Sequence, residues 1–315
     1  MTRHFLVDTD LSPQEQAQVL DLAAELKTRP YSRKPLEGPQ TVAVIFDKTS
    51  TRTRVSFSAG IAALGGNPLL INPGESQLGH KESIADTAGV FSRMVSAIVW
   101  RTGAHAGLQD MAAHASVPVI NALCDDYHPC QLLADLLTIR EHRGTGEGNG
   151  LAGLRIAYLG DGANNMAHST ILACITAGMH VRIGAPETYQ PCKDIIATAE
   201  RLAASTGGSL LVTTDATEAA SGADVITTDT WVSMGHDATG RDGAESPFLP
   251  YQVTTDIMAL GQNPIFLHCL PAYRGSEVTA DVIDGERSVV FDQAENRLHA
   301  QKALLTYLLA AKAEQ

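Results

Sequence analysis

From Thr41 onward the chain alternates short apolar runs with stretches in which apolar residues return at helical spacing. The runs at 41–46, 68–71, 97–101 and 117–121 have the length of strands. The stretches at 53–64, 83–94, 107–115 and 129–142 have the period of helices. Strands that read as continuous apolar runs are buried on both faces, so these four units predict a mostly parallel sheet flanked by helices. Upstream, Ser12-Pro13-Gln14-Glu15 reads as a helix start. Serine caps, proline occupies the first helical position, and Glu15 closes a capping box, with Val19, Leu20, Leu22, Ala23 and Leu26 continuing the pattern.

The alternation pauses at Arg143-Gly144-Thr145-Gly146-Glu147-Gly148-Asn149-Gly150, a polar glycine-rich linker. It then resumes, with strands expected at 154–159, 180–184, 209–213, 224–228, 264–268 and 288–291, and a last helix over 293–312. The expected architecture is α/β, with two similar-sized domains, each a mostly parallel sheet flanked by helices. The expected boundaries are 1–142 and 151–296, with 297–315 as a C-terminal helix packing back on the first domain. Open sheets of this kind bind ligands at the carboxyl ends of their strands, so the facing surfaces of the two domains are expected to form a cleft.

Composition narrows the partners. With 44% hydrophobic and 18% charged residues, the 315-residue chain has the make-up of a globular protein large enough for two cores. A net charge of -12 argues against a nucleic-acid backbone as partner, although local arginines can reverse the field inside one cleft. No apolar run approaches the length of a membrane span, and Met1 to Asp8 carry no signal-peptide core. Five scattered cysteines, Cys124, Cys130, Cys174, Cys192 and Cys269, lack zinc-site and disulfide-framework spacing. A reducing cytoplasm, no metal and no membrane are the expectations that follow.

The chemistry gathers where strands end. After the run Ala43-Val44-Ile45-Phe46 come Asp47-Lys48 and then Thr49-Ser50-Thr51-Arg52-Thr53-Arg54, with a helix beginning near Arg52. Free N–H groups and the dipole at such a helix start favour an anion. Ser50, Thr51 and Thr53 add hydroxyl donors, and Arg52 adds a fork suited to phosphate. An ordinary capped helix with solvated arginines has the same pattern, so the stretch gains weight only in company. Arg101 ends another strand, and His128-Pro129-Cys130-Gln131 opens the next helix, with His128 and Gln131 close enough to face one point.

In the second half, Gly160-Asp161-Gly162-Ala163-Asn164-Asn165 has a dinucleotide-loop look, but Asn165 stands where the third glycine belongs. Gly184 and Ala185 stand where an acidic ribose ligand is expected. A nicotinamide cofactor is therefore rejected. The asparagines can cap the helix or offer an amide to a carboxylate. Asp229 follows a strand and suits a cationic amine, and Ser233-Met234-Gly235 with the polar stretch 236–245 has the composition of a mobile lid. His268-Cys269-Leu270-Pro271 ends another strand; most cysteines so placed are packing residues. Asn296-Arg297-Leu298 can return an arginine to the cleft.

Taken together, Ser50-Thr51-Arg52-Thr53-Arg54, His128-Pro129-Cys130-Gln131, Asp229 with Ser233-Met234-Gly235, and His268-Cys269-Leu270-Pro271 resemble the aspartate/ornithine carbamoyltransferases over nearly the whole chain. Cys269 and the Ser-Met-Gly loop resemble the ornithine-using branch. So does Gln77, in a loop where aspartate-using relatives need a lysine. The resemblance implies carbamoyl transfer from carbamoyl phosphate to L-ornithine, in arginine biosynthesis, with no cofactor. It assigns Ser50, Thr51, Arg52, Thr53, Gln77 and Arg101 to the phosphate, and Gln77 to a neighbouring subunit's phosphate, hence a homo-oligomer, at least a trimer. It assigns His128, Gln131 and Arg297 to the carbamoyl group, and Cys269 and Leu270 to the reacting centre, with Arg52, His128 and Cys269 as catalytic. It assigns Asn165, Asp229, Ser233 and Met234 to the amino acid. A transferase for an N-acylated ornithine or a diamine, or a non-catalytic carbamoyl-phosphate-binding subunit, are the alternatives.

Overall fold

The computed structural model describes residues 2–75, 82–146, 148–232, 243 and 245–313. The chain divides into two compact units, one built from residues up to Leu137 together with those from Glu295 onward, the other from Thr138 to Ala294.

In the first unit, α1 (Pro13–Thr28) starts at the expected capping box: Ser12 Oγ accepts from Glu15 N, and Glu15 Oε2 accepts from Ser12 N at 2.9 Å. The elements then run β1 (Thr41–Phe46), α2 (Thr51–Ala63), β2 (Asn67–Ile71), α3 (Ile84–Phe91), β3 (Ala97–Arg101), α4 (His105–His114), β4 (Val119–Leu123) and α5 (Pro129–Arg143). The strands form a parallel sheet in the order β2-β1-β3-β4. The inner strands are buried along almost their whole length while edge strand β2 is partly exposed, which is why β1 and β3 read as unbroken apolar runs. Ile45, Ile98, Trp100 and Val119 pack with Ala88, Leu108 and Met111 of α3 and α4. The fourth strand runs at Val119–Leu123 rather than 117–121, after Pro118, whose missing N–H cannot serve a ladder.

The second unit continues with β5 (Arg155–Leu159), α6 (Asn165–Thr176), β6 (His180–Gly184), α7 (Lys193–Thr206), β7 (Ser209–Thr213), α8 (Ala216–Ala220), β8 (Val225–Thr228), α9 (Thr255–Ala259), β9 (Ile265–His268) and α10 (Ala280–Ile283), before α11 (Val290–Ala313). Its strands are all parallel, in the order β7-β6-β5-β8-β9. Outward steps from β5 in both directions give this sheet a reversal of strand order beside β5, the place where open sheets of this kind receive ligands. Alanines of α8 pack against Ala157, Leu159 and Ile226 of the sheet. A Cβ on Gly184 would come within 2.7 Å of Leu159 Cδ2 on β5 and 3.1 Å of Ala219 Cβ on α8, so the glycine leaves room for that close packing.

The stretch 288–291 is not a strand. Ser288 makes one isolated bridge with Phe266, and α11 begins at Val290. An apolar run as short as Val289-Val290-Phe291 fits a strand and the first turn of a buried helix equally well, and helical hydrogen bonding from Val289 onward decides it. The α/β class and the pair of mostly parallel, helix-flanked sheets are as the pattern predicts.

Candidate functional site

In the first unit the carboxyl ends of β1, β3 and β4 lie side by side. Ser50 is the N-cap of α2, its Oγ accepting from Thr53 N at 3.3 Å. That cap places Thr51, Arg52 and Thr53 in the first helical turn, where backbone N–H groups lack intrahelical acceptors. Arg101 closes β3, and its carbonyl accepts from Asp47 N at 2.9 Å, tying the two strand ends together. His128 immediately precedes α5, and its carbonyl accepts from Gln131 N at 3.0 Å. Arg297, in α11, donates to Gln131 Oε1 and, at 2.8 Å, to Thr53 Oγ1. Thr53, Arg101, His128, Gln131 and Arg297 are all buried.

The electrostatics show how close these groups are. Burial holds the His128 imidazole well below its ordinary range, and the positive charges of Arg297, Arg101 and Arg52 push it further in that direction. The histidine is therefore neutral and sits in a field set by three guanidinium groups. Burial raises the neighbouring thiol of Cys130 to about 12, so it is an inert packing group. Gln131 Nε2 donates to Asp135 Oδ1 at 2.8 Å, which orients the amide with its oxygen toward Arg297. Asp135 was absent from the sequence expectations. Its position one helical turn beyond Gln131 was the available signal.

In the second unit Asp229 follows β8 and Cys269 follows β9, the adjacent strand. Cys269 Sγ donates to Asp229 Oδ1 at 3.3 Å. Crowding by protein atoms raises the Asp229 carboxyl above its ordinary range, against the opposing pull of His268 and of hydrogen bonds from Thr230 and Cys269. Leu270 turns into the left-handed region with φ 57°, uncommon for a branched residue, and its N–H returns to His268 Nδ1 at 2.9 Å. Nδ1 is thus an acceptor, and Nε2 lies 3.3 Å from the fully buried Glu277 side chain. Glu277 also accepts from Tyr273 N at 2.6 Å. The sequence reading missed Glu277, since nothing in its spacing links it to His268.

Asp229, His268 and Cys269 offer ligand atoms within 4.8 Å of one another, the described group that could hold a cation. Nδ1 of His268 is committed to the Leu270 N–H, while Nε2 lies 3.3 Å from Glu277 without a hydrogen bond. Asn164 is the N-cap of α6: its Oδ1 accepts from Ala167 N and its Nδ2 donates to the Tyr158 hydroxyl, both at 2.8 Å. Asn165 is the first helical residue. Gln77, Ser233, Met234 and most of the stretch 236–245 lie outside the described residues.

Comparison with known proteins covers the whole chain. Residues 3–141 match the family profile described as aspartate/ornithine carbamoyltransferase, carbamoyl-P binding domain, and residues 152–308 match the Asp/Orn binding domain of the same family. The chain is 64% identical over 314 residues to an ornithine carbamoyltransferase of Renibacterium salmoninarum, covering 98% of this chain and 99% of that protein. It is 62% identical over 310 residues to one of Clavibacter sepedonicus, with 98% and 99% covered. Among solved structures, the ornithine carbamoyltransferase from Pyrococcus furiosus superposes with a TM-score of 0.90 at 44% identity, covering 98% of this chain and 97% of that one. An anabolic ornithine carbamoyltransferase from Campylobacter jejuni gives 0.89 at 36% identity, with 97% and 98% covered.

Proposed function

Since the chain belongs to the aspartate/ornithine carbamoyltransferase family, we propose that it transfers the carbamoyl group of carbamoyl phosphate to the side-chain amine of L-ornithine, giving L-citrulline and phosphate. The observation that carries the choice of ornithine is the contact between Cys269 and Asp229. A carboxylate supported by a thiol donor attracts an ammonium group and repels the second carboxylate of an aspartate. The full-length match to proteins named ornithine carbamoyltransferase supports the same reading.

The roles follow from charge. The leaving phosphate gathers negative charge; Arg52, Arg101 and the start of α2, with Ser50, Thr51 and Thr53, supply fixed positive potential for it. The carbamoyl oxygen becomes more negative as the amine adds, and His128, Arg297 and Gln131 surround it. A neutral imidazole serves as a donor there without competing for the phosphate. Asp229 and Asn165 hold the amino-acid end, with Ser233 and Met234, and Cys269 and Leu270 line the reacting centre. Asn164 has both ends of its amide engaged, which supports Asn165 as the ligand. The N–H of Leu270 is likewise committed to His268, so a backbone role for Leu270 falls to its carbonyl.

The nucleophile must be neutral. An alkyl amine has a pKa near 10.4, so its neutral form costs about 4–5 kcal/mol at pH 7. Desolvation beside guanidinium groups lowers that cost. The C–N bond forms as the C–O bond to phosphate breaks, and the proton given up by the amine leaves on the phosphate. The step balances without a further base, which leaves Cys269 as a thiol that orients Asp229.

The same reading places the chain in arginine biosynthesis in the cytoplasm, as a homotrimer in which Gln77 of one copy reaches the phosphate site of the next. No described helix is long and apolar enough to cross a membrane. The test is colorimetric citrulline formation with ornithine, N-acetylornithine and putrescine as competing acceptors and Arg52→Ala as control. Turnover with ornithine alone, abolished in R52A, is expected. Preference for either analogue, or carbamoyl-phosphate binding without product, would replace the reading. Light scattering measures the trimer.

A further inference from the structure

Strands β5, β8 and β9 are adjacent and parallel, with Tyr158 opposite Thr227 and Thr227 opposite Leu267. Side chains alternate along strands, so Tyr158 shares its face with Thr227 and Leu267, and Asp229 and Cys269, just past the ends of those two strands, lie close enough to act on its hydroxyl. Tyr158 is 1% exposed. Its hydroxyl accepts from Asn164 Nδ2 at 2.8 Å, while the other end of that amide caps α6 through Ala167 N. The amide cannot be reversed, because only its oxygen can accept from Ala167. The turn between is held by Thr228 Oγ1 donating to Leu159 O at 2.6 Å, and by Gly160 at φ 128°. Burial, with Asp229, Asp161 and Cys269 nearby, keeps the phenol protonated.

A phenylalanine would fill the same volume without bringing a hydroxyl out of water, and serine or aspartate would cap α6 as well as asparagine does. The pair therefore does more than pack and cap. We propose that Tyr158 is a positioning residue for the amino-acid substrate: its hydroxyl clamps Asn164 and sets the start of α6, from which Asn165 is presented at the carboxyl edge of the sheet that carries Asp229 and Cys269. This inference rests on the carbamoyl-transfer reading above.

The experiment compares Tyr158→Phe, Asn164→Ser and the double variant by steady-state kinetics. Serine keeps the cap and loses the reach to the phenol. Loss of one hydrogen bond that acts through Asn165 raises the KM for ornithine about 5–10-fold. The KM for carbamoyl phosphate stays within about twofold, and the double variant is no worse than the worse single one. Tyr158 has no such role if Y158F leaves the ornithine KM within about twofold, if both KM values rise together, or if the two substitutions add. Should Y158F fail to fold, N164S decides alone, because it keeps the buried ring. Wild-type protein that forms no citrulline overturns the carbamoyl-transfer reading and this inference with it. Active wild type with an unaffected Y158F overturns only the inference.

Discussion

The neutrality of His128 has a measurable cost in stability. In the unfolded chain the imidazole takes a proton below its ordinary pKa of 6.5; in the folded protein burial and the charges of Arg297, Arg101 and Arg52 prevent this. A base whose folded pKa is depressed makes the unfolded state bind more protons once pH falls below the unfolded value, so stability drops as pH falls through 6.5. One pH unit below that value the loss is about 1.4 kcal/mol, and it grows by about as much for each further unit while the folded imidazole stays neutral. His4, His105 and His299 are also held below their ordinary range by burial, so the raw pH profile sums several groups. The difference between wild type and His128→Asn isolates one. Urea unfolding of both proteins, at equal concentration because association shifts apparent stability, should show wild type losing about 1.4 kcal/mol more than H128N between about pH 8 and pH 5.5. A difference that does not change with pH would mean that His128 titrates normally, and the three arginines would not surround it.

Other consequences are as direct. Arg297→Lys keeps the charge but cannot reach both Gln131 and Thr53 in the same fork, so kcat/KM should fall about 100-fold in the citrulline assay; near-normal turnover would refute the pairing. Glu15 is held at about pKa 2, chiefly by Arg3, which also meets Tyr307. A depressed acid adds stability above its unfolded pKa and loses it as pH falls toward 2, so Glu15→Gln should cost about 1 kcal/mol near neutrality, screened because the pair is partly exposed. In urea titrations the gap should narrow as pH falls below about 4.5 and close near pH 2; a constant gap would point to packing instead. Thiol labelling of native protein near pH 8 should modify exposed Cys192 first and spare Cys124 and Cys130, which burial raises to about 11 and about 12. A fast phase that survives Cys192→Ser would contradict that order.

Local chemistry made much of the molecule legible. Ser12 and Glu15 form the capping box their spacing announces, because a cap depends on residues three apart. The inner strands β1 and β3 matched their apolar runs because both of their faces are buried, whereas the apolar run at Val289 was ambiguous and became the start of a helix. The clustering of Ser50, Thr51, Arg52 and Thr53 at a helix start could be read directly, since the cap and the free N–H groups are short-range facts.

Sequence by itself thus determined the class of fold, the places where strands end, and the kinds of group offered there, all consequences of period, capping and turn chemistry within a few residues. Tertiary structure decided who meets whom. Arg297 reaches Thr53 from 244 positions away and Gln131 from 166. Asn164 is separated in role from Asn165 by the buried phenol of Tyr158 in β5, and His268 Nε2 comes to lie 3.3 Å from Glu277. No local pattern encodes those partners, because each is set by strand order and by the burial that forces a polar group to find whatever acceptor the fold has brought near.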